Sequence, residues 1–324
     1  MRNPVPVILA IGLAIVSLPA KANPSPSASI TARLASCDPA VVHLAAAELL
    51  RDPNTLREPL MLFHAAMGER MAGRKEEAAF LYLAARLRTA RQILFEKGDR
   101  PQLIAIMSMT VGPLVMPVLE ADPALARTVV KRVIDWDRST PDPFRDREAA
   151  KAGDIPEKLA KIDAGLTRFP EQNGGDPARL ASARDADQRA EQQIKSTDAQ
   201  RCGPGTLDAV DAEVATTRIR SEAERLAKTY PFVLRQAGGT VKSVSVGAWQ
   251  KGTSGVPSRL TVSVSPASGA TFYAEIDAEI SITADRKLGA IKTSLACITY
   301  LWLGQRDGSW KNVCLDDPKA IKPN

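Results

Sequence analysis

Glu275, Asp277 and Glu279 alternate along one short run of the chain. On a strand that spacing puts three carboxylates on one face, with successive members about 7 Å apart. Paired carboxylates at such separations can run glycoside hydrolysis, one as general acid and the other as base or nucleophile. Alternating charge is also the mark of a solvated sheet face. The stripe is read first as such a face, and, where it has a function, as a surface for a basic partner. It serves as a catalytic pair only in the rival reading, a periplasmic hydrolase.

Other reactive chemistry is scarce. The chain has two histidines, His43 and His64, each inside an apolar helical pattern. Neither belongs to a His-Glu-x-x-His or a Cys/His ligand set, so they read as packing or capping residues. No Gly-x-Ser-x-Gly elbow, Ser-x-x-Lys box or phosphate loop occurs. The expectation is a non-enzymatic protein without cofactor or metal. Arg86 and Arg88 lie in a largely apolar helix. A buried guanidinium needs a carboxylate, and Asp135 or Asp137, flanking Trp136, would supply a buried ion pair. A clamp for a ligand carboxylate or phosphate is the alternative.

The four cysteines are Cys37, Cys202, Cys297 and Cys314, an even number that favours disulfides in an exported chain. The expected pairs are Cys297–Cys314, on two successive strand candidates, and Cys37–Cys202. Register decides the first pair. A tight turn at Asp307-Gly308 would set Cys314 opposite Leu301, whereas a wider loop over Gly304 to Asp307 brings the cysteines together. Leu34-Ala35-Ser36-Cys37 also matches a lipobox, but a polar Pro/Ser segment separates it from the apolar leader, which argues against a lipoprotein anchored through Cys37.

Export itself is read from residues 1–22. Arg2 is a basic n-region, Val5 to Leu18 an uncharged apolar run, and Ala20-Lys21-Ala22 a small-x-small cleavage site. The run is too short to span a bilayer, and no transmembrane segment is expected in the mature chain. The net charge is +6, of which Arg2 and Lys21 lie in the leader. So small and dispersed a surplus does not indicate nucleic acid.

The elements that must position these residues divide into two kinds. Residues 23–36 read as a flexible leader and 37–201 as an all-α helical domain. Apolar residues recur there at three- and four-residue spacing from Val41 to Gln200. Asp38-Pro39, Asp52-Pro53, Asp122-Pro123 and Asp176-Pro177 mark helix starts, Asp as N-cap and Pro at N1. Thr110-Val111-Gly112-Pro113 reads as a break that redirects the chain. Residues 202–206, beginning Cys202-Gly203-Pro204-Gly205, are a linker. Residues 207–324 read as an α+β domain, a helix over Leu207 to Tyr230 followed by an antiparallel β-meander in which the period drops to 2. The fold class is α+β with two domains, the second similar in outline to cystatin or NTF2-like arrangements.

Three resemblances add to this. Gly73 to Ala90 resembles the second helix of a tetratricopeptide-type hairpin. Tyr82-Leu-Ala-Ala-Arg-Leu-Arg88, Thr110-Val-Gly-Pro113, Thr140-Pro-Asp-Pro-Phe144 and Leu303-Gly-Gln-Arg-Asp307 resemble segments of uncharacterised exported proteobacterial proteins. The general build, exported, disulfide-bearing and poor in catalytic groups, is similar to that of periplasmic immunity proteins. It implies a protein partner, a secreted effector or an envelope component. An envelope adaptor using the helical hairpins is the other binding role. Intact-mass measurement of the periplasmic product should give a chain beginning at Asn23. A diacylglyceryl group on Cys37 would show instead that the lipobox operates.

Overall fold

Aspartate followed by proline starts three helices. The Asp38 carboxylate accepts the Ala40 N–H at 2.8 Å, Asp122 accepts those of Ala124 and Leu125 at 3.0 Å, and Asp176 that of Ala178 at 3.0 Å. Each carboxylate satisfies an otherwise orphan donor, and the proline has none to lose. The computed structural model describes residues 28–52, 58–96, 100–173, 176–251, 256–302 and 309–314. The leader 1–22, the Pro53 start and the Asp307-Gly308 turn lie outside the described residues.

Ten helices are described: α1 (Ile30–Leu34), α2 (Pro39–Leu49), α3 (Leu60–Met71), α4 (Lys75–Ile93), α5 (Arg100–Ala121), α6 (Pro123–Ser139), α7 (Ile155–Asn173), α8 (Pro177–Arg201), α9 (Ala209–Thr229) and α10 (Pro231–Gln236). The central helix of the first group is α4, whose run from Ala78 to Ala85 is buried on every side. A helix apolar all round has to be enclosed, and α3, α5, α6 and α7 pack around it.

Two expectations are corrected here. The break at Thr110 to Pro113 does not occur, because α5 runs through both Pro113 and Pro117. An interior proline costs a helix about 3 kcal/mol, which the burial of Val111, Val115, Val118 and Leu119 offsets. Gly112 is needed for contact instead of a turn: a Cβ there would sit 2.8 Å from the Tyr82 hydroxyl. From Pro101 to Ala121 this helix is long and apolar enough to cross a membrane, with mean hydropathy 1.8, but it packs against α3, α4 and α8 as a core helix does. The second correction concerns the leader. Its described part, from Ala28 to Ser36, holds α1, capped by the Ser29 hydroxyl and burying Ala32 and Leu34.

The end of this segment is sewn to the rest of the chain at one joint. Cys37 is bonded to Cys202, so its sulfur is not free for acylation. The buried Asp208 caps α9 through the Val210 N–H and also accepts the Ser36 hydroxyl at 2.9 Å and the Cys37 N–H at 2.6 Å. Arg201 donates to the Ala35 carbonyl.

After α10 the chain forms one antiparallel sheet in the order β1-β2-β3-β4-β5: β1 (Val241–Lys251), β2 (Pro257–Pro266), β3 (Phe272–Ile282), β4 (Leu288–Trp302) and β5 (Ser309–Cys314). The α+β class is therefore realised. Leu260, Val262 and Val264 on β2 and Phe272, Ala274 and Ile276 on β3 form the buried face. Helix α9 lies on that face through Ala215, Ile219, Ala223 and Ala227, where small residues allow close approach. This apolar cluster shares no residue with the one around α4. Cys297 stands opposite Cys314 in the β4–β5 ladder and is bonded to it, the register of the wider loop.

Two ion pairs tie helices together at the surface. Arg33 on α1 grips Glu48 on α2 at 2.6 and 2.9 Å, and Arg132 on α6 grips Glu77 on α4 at 2.7 and 2.8 Å. The guanidinium bonds hold both carboxyl groups below their ordinary range, Glu48 through Arg33 and Glu77 through Arg132. A carboxyl with a depressed folded-state pKa contributes stability above its unfolded value and loses it as pH falls through the folded one. Urea midpoints should therefore hold from pH 6 to 8 and fall below about pH 4. Arg132→Gln should lower the neutral plateau and flatten the acid limb. An unchanged acid limb in that variant would show that Glu77 is not among the responsible groups.

Candidate functional site

The arginine pair of α4 separates by helix geometry. Residues two apart point about 200° apart, so Arg88 and Arg86 do not share a face. Arg88 is fully buried, with its Nε 2.7 Å from Asp137 Oδ1. Its other nitrogens donate to the Pro141 carbonyl and the Thr140 hydroxyl, each at 2.7 Å, and its plane stacks 4.7 Å from the centre of the Trp136 ring. Arg86 is exposed and lies 6.0 Å from the Tyr82 ring centre. The same offset separates Asp135 from Asp137: Asp135 is exposed and pairs with Lys131 at 2.5 Å. Of the four residues expected to form a buried pair, Arg88 and Asp137 meet, whereas Arg86 and Asp135 do not.

Arg91, one turn beyond Arg88 on the same face, completes the cluster. It reaches Asp137 at 2.9 Å, Asp142 at 2.6 Å and Asp163 at 2.6 Å, and Arg145 reaches Asp137 at 2.8 Å. Burial pushes the Arg88 guanidinium below the ordinary arginine value, against the pull of Asp142 and Asp137. Burial acts on Arg91 in the same sense, but its bond to Asp163 and the charge of Asp137 outweigh it and hold Arg91 above that value. Cationic side chains this well partnered by protein carboxylates and carbonyls fix helices instead of presenting a charge to a ligand.

The carboxylates of the stripe alternate along β3 with Ala274, Ile276 and Ala278, which belong to the buried cluster under α9. Glu275 and Asp277 are half-buried and Glu279 is exposed. Arg259, opposite Asp277 in the β2–β3 register, grips that carboxylate at 2.6 and 3.0 Å and comes within 3.7 Å of Glu275. Glu279 stands opposite Lys292 of β4. Arg259 thus answers the charge of Asp277 and, more distantly, Glu275. His43 Nδ1 lies 2.8 Å from Oε1 of the buried Glu69, and His64 is exposed on α3. Among the described residues no three His, Cys, Asp or Glu side chains converge as a metal-binding set.

Glu279 also lines a cleft of about 1020 Å³ between α9 and β4, together with Arg218, Ser221, Arg225, Lys292 and Ser294. Strand β5 is described over Ser309–Cys314. It pairs only with Cys297–Trp302, and among the described strands none pairs with Leu288 to Ala296 on the side away from β3. Arg225 is engaged by Glu222 at 2.6 Å, which leaves Arg218 and Lys292 as the cations facing an incoming group. The chain matches no protein-family model, no curated protein and no solved structure.

Two sets of residues escaped the sequence reading. Arg91 was legible, since Arg88 and Arg91 are three apart on one helix face. Arg259, Arg218 and Lys292 were not, because their placement depends on strand register and on where α9 crosses the sheet. Asp142→Ala should destabilise the protein by about 3 kcal/mol, because it removes a fully buried carboxylate and leaves the buried Arg88–Arg91 cluster short of one negative charge. Asp135→Ala should cost less than about 1 kcal/mol, as exposed pairs do. Urea denaturation of both variants measures the contrast, and equal losses would refute the assignment.

Proposed function

We propose that this chain is an exported, non-enzymatic protein-binding module that engages its partner at the open edge of β4. The carrying observation is that, among the described residues, no strand pairs with Leu288 to Ala296 on the side away from β3, beside the α9 cleft. An exposed strand edge accepts an extended segment by main-chain hydrogen bonds, and flanking side chains select its sequence. Arg218 and Lys292 would favour acidic residues in that segment, with Glu279 opposing a second acid close by. The reading moves the expected interface from the middle of the carboxylate stripe, occupied by Arg259, to its Glu279 end.

The cleavable leader and the two disulfides support a periplasmic location. We read the two apolar clusters as two domains, 37–201 and 207–324, the second similar to cystatin or NTF2-like arrangements in having a helix across an antiparallel sheet. The partner class we favour is a secreted toxic effector, which would make the chain an immunity protein acting by occlusion. A standard interface of about 1,600 Å² would suffice. The exposed Leu103, Ile106 and Met109 on α5 favour a second reading, an envelope adaptor that binds through its helices.

A photo-crosslinking residue at Ser294 in the periplasm should yield a discrete protein adduct that Arg218→Glu with Lys292→Glu abolishes. The same probe at Thr128 on α6 should give none. Adducts at Thr128 alone would move the interface to the helical part. Turnover of a peptidoglycan fragment, lost in Glu275→Gln with Glu279→Gln, would replace binding with hydrolysis.

A further inference from the structure

A second cleft, of about 380 Å³, lies between α4 and α7. Leu83 and Leu87 form one wall, and Ile162, Leu166 and Phe169 the other. The leucines of α4 are buried, whereas the three apolar residues of α7 are only half-buried, so α7 does not close onto α4. Its distance is set beside the cleft by Asp163, which is held at 2.6 Å by the buried Arg91. Gly165 notches the same wall: a Cβ at that position would meet no atom within 4 Å. The cleft thus has apolar walls and a polar rim, and its volume is within the usual size of small-molecule sites, about 300–1,000 Å³.

Its polar side chains are two cations and the neutral Gln172. Arg86 and Lys161 line it, and no acidic side chain does. Lys161 keeps Glu157 at 2.7 Å. Among the described residues Arg86 has no carboxylate partner, only the Tyr82 side chain. An uncompensated guanidinium beside five apolar side chains is complementary to a molecule with one anionic end and one apolar tail. We propose that this cleft binds a medium-chain fatty-acid carboxylate, its tail between α4 and α7 and its head group accepting from Arg86. The site is separate from the β4 edge and does not depend on the reading given for that edge.

Titration with decanoate, kept below its micelle concentration and followed by amide NMR, should show saturable binding with shifts centred on Leu83, Leu87 and Gly165. Gly165→Leu fills the notch without strain, since the backbone there is helical. It should abolish binding and keep or raise the melting temperature. Arg86→Gln should weaken decanoate by roughly 10- to 100-fold, the loss of a charge-assisted hydrogen bond, and leave decanol binding unchanged. Absence of saturable binding to the wild-type chain would overturn the proposal. So would binding indifferent to Gly165→Leu, or decanoate and decanol responding alike to Arg86→Gln. If Gly165→Leu fails to fold, the Arg86 comparison decides alone.

Discussion

The helical part of this protein is organised around two buried guanidinium groups. Arg88 and Arg91 leave α4 on one face and meet Asp137, Asp142 and Asp163. Those carboxylates come from the end of α6, from the segment after it and from α7, so one cluster fixes the mutual positions of three helices and a connection. Buried ion pairs seldom add net stability over apolar packing. Here their effect is directional: an Asp at a single height along α6 satisfies Arg88, and α6 cannot slide by a residue without stranding a charge. The carbonyls of Thr140 and Pro141 face the same group, and the segment after α6 buries Asp142 and Phe144. The width of the α4–α7 cleft follows from the same cluster.

A second constraint joins the start of the chain to the start of α9. Asp208 serves as N-cap and as acceptor for Ser36 and Cys37 with one carboxylate, and the Cys37–Cys202 bond lies beside it. The two cysteines are 165 residues apart in sequence. Closing so long a loop restricts the unfolded chain by on the order of 5 kcal/mol in the loop-entropy account. The helices from α2 to α8 are thereby closed into a ring whose seam is the base of α9. Ser29 extends the seam, donating to Glu213 through its N–H and hydroxyl.

The two last strands of the sheet differ in their described length. β4 has fifteen residues and the described β5 six, so among the described residues pairing on that side of β4 ends at Cys297. Sheet edges invite pairing unless they are covered or charged. The stretch before Cys297 carries Lys292 and is flanked by Arg218 and Arg225 from α9. The arrangement discourages indiscriminate pairing and leaves room for a segment of matching charge.

Local chemistry made much of this legible in the sequence. The Asp-Pro caps, the buried all-apolar run of α4, the change from helical to strand periodicity after Gly238-Gly239 and the alternation on β2 and β3 are each written in a few neighbouring residues. Cysteine number made disulfides the expectation, but the pairing of Cys297 with Cys314 hung on a strand register that only the structure decided. Decisions that depend on distant partners were not legible. Thr110 to Pro113 carries breaker residues, yet α5 continues because Tyr82 needs Gly112 and the surrounding core holds the helix. Arg86 and Arg88 look equivalent in sequence, and only the position of α6 makes one a core residue and the other a free cation. Glu275 and Asp277 look like an acidic surface until β2 sets Arg259 beside them. Residue type and spacing determined which elements form, because those forces act within a turn or a strand; which charges are neutralised was decided by packing, because a charge is answered by whatever the fold brings within a few ångströms.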